Sequence, residues 1–259
     1  MKQRIISLRS IKNCRDMGGL VNLEGQRIGK KRLIRSAKLC RAKSKDMEKL
    51  REQYGVNLVI DLRTDKEIEK EPDARIEGIE YLHIPIFTEG MLGISHEDDG
   101  NIIDHIDDIP DFKDLYRLIV TEESCMMQMK KVLQTIMNHR EGAVLWHCSE
   151  GKDRCGLVSA FLLFILGCDQ KTVIEDYLLT NLAALRKAGL YYFLVLLLTR
   201  SRDKARKIQG VFMAEEDYIK TALTAVEERY GSMDWYLRQI IGITEEEINS
   251  FRKYILKNV

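Results

Sequence analysis

Cys148 and Arg154 stand five residues apart in the run His147-Cys148-Ser149-Glu150-Gly151-Lys152-Asp153-Arg154-Cys155-Gly156. Those residue types at that spacing suit attack on a phosphate ester. The ester is an anion, so the attacker must be a thiolate and the cradle around it electropositive. A free cysteine titrates near about 8.5, and a helix N-terminus with a nearby cation lowers it by several units. Backbone N–H groups of Ser149 to Arg154, turned inward at a helix start, form an anion site of their own. Gly151 allows the torsions such a loop needs, and the planar fork of Arg154 grips two phosphate oxygens at once. The chemistry implied has two steps. Cys148 takes the phosphoryl group while an acid protonates the leaving oxygen, and water then hydrolyses the phosphocysteine with the same group acting as base. This route uses no metal and no cofactor.

The flanking sequence supplies the elements that would hold these groups. An apolar run, Ala143 to Trp146, leads in and another, Leu157 to Leu166, leads out, which reads as strand, tight loop and helix, the helix beginning near Cys155–Gly156. A cysteine–arginine spacing alone arises by chance, and most buried cysteines are inert. The strand before, the helix after, the glycine within and the histidine in front favour function. His147 is expected to support the loop by hydrogen bonding rather than to act as a base. Upstream, a helix is expected from Ser44, as N-cap, to Tyr54, with Gly55 as its stop. Val56–Leu62 reads as a buried strand ending in Asp61-Leu62-Arg63, and 79–87 as a second strand. The first forty residues look like a glycine-rich hairpin region, and 88–111 like a loop. A helix follows Thr121, with Met126, Met129, Leu133 and Ile136 on one face. The last third is helical: Asp169 caps 170–180, Ile219, Ala222, Leu223 and Val226 form a stripe, Ser232 caps a short helix, and Thr244 with Glu247 forms a capping box. Strands alternating with helices predict an α/β domain with a central, mostly parallel sheet.

The whole chain sets bounds. Its 259 residues suit one large domain or one with an appendage. A formal charge of +1 gives no bulk attraction to nucleic acid, so none is expected as a partner. The opening MKQRIISLRSIKN has early cations but no apolar core, which argues against a cleaved signal peptide. The longest uncharged apolar stretches, 156–168 and 188–199, fall short of the roughly 20 residues of a bilayer span, so stable membrane insertion is not expected. Six cysteines at 14, 40, 125, 148, 155 and 168 include no C-x-x-C pair, which suits a reducing compartment and a cytoplasmic protein. The acidic stretch 96–108 matches no metal-loop spacing and reads as a solvated loop.

HCSEGKDRCG resembles the H-C-x-x-G-K-D-R-T-G loop of the atypical bacterial protein tyrosine and phosphoinositide phosphatases, the group similar to the mycobacterial and listerial secreted enzymes. The likeness extends along nearly the full chain. Asn13-Cys14-Arg15-Asp16-Met17-Gly18-Gly19, Arg35-Ser36-Ala37-Lys38-Leu39, Asp61-Leu62-Arg63 with Glu67 and Pro72, Asp176-Tyr177-Leu178-Leu179-Thr180-Asn181, and Tyr230-Gly231-Ser232 fall in the family's order. The resemblance implies a cysteine-phosphatase-like domain over 1–259 with a helical lid insertion at about 186–214. That lid would hold the apolar segment Leu190–Leu198 and the basic segment after it. A buried helix or contact with an acidic membrane surface are the other readings of those residues.

The resemblance makes Cys148 the nucleophile and Arg154 the phosphate clamp. Ser149, Glu150, Gly151, Lys152, Asp153 and Arg154 become the phosphate-binding loop, and Lys152 favours further phosphate or carboxylate groups on a substrate. Asp153 is implied as the proton donor, with a structural ion pair to Arg15 or Arg63 as its alternative. Asp61, at a strand's C-terminal end, is the second acid candidate, or else an anchor for loop amides. Arg15 and Asp16 are expected to pair with each other. The substrate is expected to be a phosphorylated protein, with phosphoinositides as the alternative; a catalytically weak phosphate-binding module is the non-enzymatic reading. One position departs from the family: Cys155 stands where a threonine or serine hydroxyl donates to the nucleophilic sulfur. A thiol is a weak donor, so slow breakdown of the phosphocysteine is expected.

Overall fold

The computed structural model describes residues 4–87, 106 and 111–258. Its core is a five-stranded sheet in the order β1 (Arg15–Asp16), β3 (Leu33–Ser36), β6 (Ala143–His147), β4 (Val56–Asp61), β5 (Glu80–His83). Only β1 runs antiparallel to its neighbour; β3, β6, β4 and β5 are parallel. Ser36 and Asp61 both pair with His147, and Asp61 also with His83. Four strands therefore end at one level, and Cys148 leaves the middle one.

Alternation along the strands sorts residues to the two faces. Val144 and Trp146 enter the larger core, and Ala143 and Leu145 the smaller one. In β4 a register shift between Val56 and Leu58 resets the pattern, so Val56 and Val59 share the smaller core while Leu58 and Ile60 face the larger. The smaller core lies under α1 (Ser44–Tyr54) and the N-terminal segment. The larger is built by α3 (Phe112–Thr121), α4 (Glu123–Asn138), α5 (Asp153–Ile165), α6 (Gln170–Leu178), α9 (Glu216–Tyr230) and α11 (Glu245–Ile255). Helix α5 is apolar all round beyond its first turn and is buried along nearly its whole length, as a central helix must be.

The expected elements are present, with shifts that have local causes. Helix α1 spans 44–54, but its N-cap is Lys43; Ser44 is already helical, and no side chain caps the end. The second strand shrinks to Glu80–His83, although Ile84 and Ile86 on either side of Pro85 still donate to Asp61 O and Leu62 O at 2.9 and 3.4 Å. The glycine-rich opening is not one hairpin. Its turn at 22–26 is real, yet β2 (Arg27–Ile28) pairs with β7 (Leu256–Lys257) at the far end of the chain. Helix α5 starts at Asp153, two residues before the expected start. Helix α3 was not expected; after Pro110 its Leu115, Tyr116, Ile119 and Val120 form one buried face. Of the acidic stretch 96–108, all but Ile106 lies outside the described residues.

After α6 the chain forms a helical hairpin, α7 (Asn181–Thr199) and α8 (Arg202–Phe212), which begins earlier than the expected 186. Asn181 closes its base, donating to Ala214 O at 2.9 Å and accepting from Ala214 N at 2.7 Å. The buried-helix reading of 190–198 does not hold, since α7 buries only Ala188 and Val195. By length and composition α7 is also apolar enough to cross a membrane, at 19 residues; the helix extends beyond the apolar run that looked too short.

Candidate active site

The turn from β6 to α5 is Cys148 to Lys152. Gly151 sits at φ +65°, and a Cβ there would lie 2.5 Å from Ser36 O, so torsion and space both demand glycine. Cys148 is buried, at 2% exposure. Burial pushes its thiol up, but the Cys155 thiol hydrogen bond, the Arg154 charge and the Cys155 backbone N–H outweigh this and bring it down to about 6. At neutral pH the sulfur is therefore a thiolate. Burial and the neighbouring Cys148 push the Cys155 thiol well above the ordinary cysteine range, so it keeps its proton; besides the Cys148 sulfur, that proton has the carbonyls of Ser36 and Trp146 in reach, at 3.7 and 3.8 Å from Sγ.

Arg154 is also buried, and its guanidinium is fixed by Glu67 of the short helix α2 (Asp65–Lys70). Both terminal nitrogens donate to that carboxylate, Nη2 at 2.7 Å to Oε1, and the pair holds Glu67 far below the usual carboxylate range against the cost of burial. Glu67 has a second task as the far end of a capping box with Thr64, whose N–H donates to Oε2 at 2.8 Å. Ser149 also spends its hydroxyl on Glu67. The ring of Phe87 lies 5.6 Å from the guanidinium carbon.

Asp153 is paired with neither Arg15 nor Arg63. Its Oδ1 accepts from the Tyr116 hydroxyl at 2.7 Å, and that hydroxyl lies 2.6 Å from the hydroxyl of Tyr177. Lys152 Nζ is 3.5 Å away. Lys152 itself departs from expectation. Its ammonium is buried against the C-terminal end of α8, donating to the carbonyls of Gly210, Val211 and Met213 at 3.1, 2.7 and 3.3 Å, where a helix carries partial negative charge. Glu150 likewise points to the hairpin, accepting from Lys187 at 2.9 Å. Neither side chain faces the thiolate.

The scattered family landmarks converge behind the loop. Asp176 of α6 meets Arg4 at 2.7 Å, Arg15 at 3.2 Å and Arg35 at 3.1 Å, all essentially buried, and these charges hold its carboxyl far below the usual range despite burial. Arg35 donates onward to Gly151 O at 2.8 Å. Arg15 donates to Asn13, whose amide donates to Glu150 O and Gly151 O, each at 3.0 Å. Arg15 and Asp16 are thus not a pair: Asp16 accepts from the N–H groups of Gly18 and Lys31 at 2.8 and 2.7 Å.

Asp61 lies in the fork of Arg63, which donates to its Oδ2 at 2.7 Å and through its backbone N–H to Oδ1 at 3.0 Å. Burial would raise this carboxyl, but His147 and Arg63 hold it below its ordinary value, a poor state for an acid and a good one for an anchor of loop amides. His147 is buried, with Nε2 2.7 Å from Asp73 Oδ2 and Nδ1 3.8 Å from Asp61 Oδ1. Burial would lower its pKa; the two carboxylates raise it. Ligand atoms of Asp61, Asp73 and His147 lie within 4.8 Å of one another. Arg63 already bridges both carboxylates, reaching Asp73 at 2.8 Å, so the cationic position is filled by a guanidinium.

A strand-ended thiolate, loop amides and an arginine at a helix start define a cysteine-dependent phosphatase site. The chain belongs to the tyrosine phosphatase family, whose model matches residues 6–257, and it is a phosphate monoester hydrolase of that cysteine-dependent type. It is 27% identical over 256 residues to the triple specificity protein phosphatase PtpB of Mycobacterium tuberculosis, covering 87% of this chain and 91% of that protein. It is also 27% identical over 236 residues to a tyrosine-protein phosphatase of Nostoc commune, covering 85% and 72%. The solved structure of P. aeruginosa TpbA aligns with a TM-score of 0.34 and 18% identity, over 78% of this chain and 90% of that one, too remote to carry an argument.

Two predictions follow from the loop's supports. Asp176→Asn leaves three buried guanidiniums without their carboxylate and should cost about 3–5 kcal/mol in urea unfolding at neutral pH. Because the folded carboxyl titrates below its unfolded value, the stability it contributes is present above about pH 4 and lost as pH falls toward the folded value. The gap between parent and variant should therefore narrow in acid; a constant gap would refute the assignment. Second, the acid limb of kcat/KM should have its midpoint near about 6. Cys155→Ala removes a donor to the thiolate and should move that limb upward, lowering activity at pH 6. Cys155→Thr should keep the limb and raise the steady-state rate after the burst; superimposable profiles would show that Cys155 does nothing for the sulfur.

Proposed function

We propose that Cys148 attacks phosphorus while Arg154 and the loop amides hold the phosphoryl oxygens. The observation that carries this reading is the placement of Cys148 at the end of β6, joined by a tight turn through Gly151 to the start of α5 and Arg154, whose charge helps draw the thiol down. The phosphorus–oxygen bond to the leaving group breaks as the sulfur–phosphorus bond forms, and Asp153 gives its proton to the departing oxygen. Water, deprotonated by Asp153, then displaces the sulfur, and the Cys155 thiol donates to the thiolate as it leaves. Asp153 is favoured over Asp61 as the acid because Asp61 is committed to the fork of Arg63, whereas the contacts of Asp153, the Tyr116 hydroxyl at 2.7 Å and the Lys152 ammonium at 3.5 Å, both fall on Oδ1. Glu67 sets the guanidinium plane for the incoming dianion, and the second contacts of the terminal nitrogens, Nη1 to Leu62 O at 3.4 Å and Nη2 to Ser149 Oγ at 3.3 Å, are long ones that a phosphoryl oxygen can replace.

The preferred substrate class is phosphotyrosyl protein, which the family membership supports. Phosphoinositides are the second reading, favoured by the basic segment at 200–207 and by the triple specificity in a relative's name. The idle-module reading loses ground because the chain belongs to the tyrosine phosphatase family and keeps both the loop cysteine and its arginine. The free state of all six cysteines supports a cytoplasmic setting.

Hydrolysis of an aryl phosphate should vanish in Cys148→Ser and be insensitive to chelators. Asp153→Asn should lose about 100-fold or more in kcat on esters with poor leaving groups, yet much less on those whose leaving oxygen needs no proton. Equal losses on both would return the acid role to Asp61. Rates on a phosphotyrosyl peptide against soluble phosphoinositides decide between the two substrate classes.

A further inference from the structure

Helix α7 is unlike the other long helices of the chain. Its outward side carries Leu190 at 68%, Phe193 at 70%, Leu197 at 78% and Leu198 at 62% exposure. Residues 190, 193 and 197 fall on one helical face. The opposite side is already covered by α8, whose Ala205, Ile208, Val211 and Phe212 are buried, so the exposed side is the one that the described residues leave without cover. Single exposed leucines need no explanation; a contiguous apolar patch does. The patch also has a charged border. Between Asn181 and Met213 the sequence holds seven lysines and arginines against one aspartate, and Arg200, Arg202 and Arg206, at the hairpin's turn and the first turns of α8, are exposed.

We propose that this face of α7, with the arginines at the hairpin tip, docks onto a lipid bilayer surface bearing anionic headgroups. Leucine and phenylalanine side chains would enter the boundary between headgroups and acyl chains while the guanidiniums meet lipid phosphates. The association is interfacial rather than spanning. The base of the hairpin is tied by Asn181 to Ala214 and by Lys187 to Glu150, and the helix carries Arg186 and Lys187 within its length. A second copy of the chain on the same face would cover the leucines but bring two surpluses of positive charge together; an anionic surface satisfies both features. Lys152 and Glu150 bind this hairpin to the phosphate loop, so docking would place the loop at the lipid surface. The inference does not depend on which phosphate ester is hydrolysed.

The test is co-sedimentation of the full chain with vesicles of phosphatidylcholine alone and of phosphatidylcholine containing phosphatidylglycerol, with light scattering on the protein by itself. Binding to the anionic vesicles is expected, and should weaken as salt is raised. R200Q/R202Q/R206Q should weaken partitioning on the order of a hundredfold, and F193S/L197S should abolish it. Both variants should keep the parent's aryl phosphatase rate, which shows that they fold. The proposal is overturned by failure to bind anionic vesicles, by equal binding to neutral ones, or by a stable dimer that F193S/L197S dissolves.

Discussion

A single carboxylate, Asp176, makes the phosphate loop possible. A loop that turns its N–H groups inward toward an anion must turn its carbonyls outward, and buried carbonyls need donors. Here Lys38 N–H serves Ser149 O at 3.1 Å, Asn13 serves Glu150 O and Gly151 O, and Arg35 serves Gly151 O. Two of these supports depend on buried arginines that would repel one another in a low-dielectric interior. Asp176 faces Arg4, Arg15 and Arg35 together and lets them stay. Three guanidiniums against one carboxylate also leave net positive charge behind the loop, which favours an arriving phosphate and the thiolate that waits for it.

In front of the loop the arrangement is inverted. Glu67 is paired with one arginine and holds it by two nitrogens in one plane. The same carboxylate closes the capping box of α2, so the direction of the phosphate clamp is set by the start of a six-residue helix. Specific geometry is obtained from a local motif that would form for helical reasons alone. This is economical, but it couples the two: loosening the first turn of α2 also frees the arginine.

These two charge systems show what can be read from a chain and what cannot. Cys148, Arg154, Gly151 and the strand and helix around them are contiguous, and their chemistry is visible in ten residues. The capping box at Thr64 and Glu67 is legible from its spacing, but nothing local says that its carboxylate will face an arginine 87 positions away. Asp176 and its arginines are separated by 141 to 172 positions, so periodicity is silent about them; the likeness to a family singled out Asp176, Arg35 and Arg15, the last with the wrong partner, and did not reach Arg4. Tyr116 escaped because α3 follows a proline and a crowd of aspartates that read as loop. Lys152 was misplaced for a different reason: its neighbours in sequence bind phosphate, while its own long side chain reaches past them to a helix end.

That reach has a consequence for specificity. The loop has two charged side chains available to read groups beyond the first phosphate, Glu150 and Lys152, and both are spent on the α7–α8 hairpin. Lys152 is held by three carbonyls and by the faces of Phe112 and Tyr218, 4.5 and 5.6 Å from its nitrogen, a site that replaces its hydration almost completely. With the hairpin in this position the loop can distinguish little more than a phosphoryl group and what lies directly behind it. A displaced hairpin would return the ammonium to solvent at the rim of the site, where it would find a second anionic group on a substrate rewarding. The surroundings of Lys152 and the position of the hairpin are therefore one property, linked through three carbonyls.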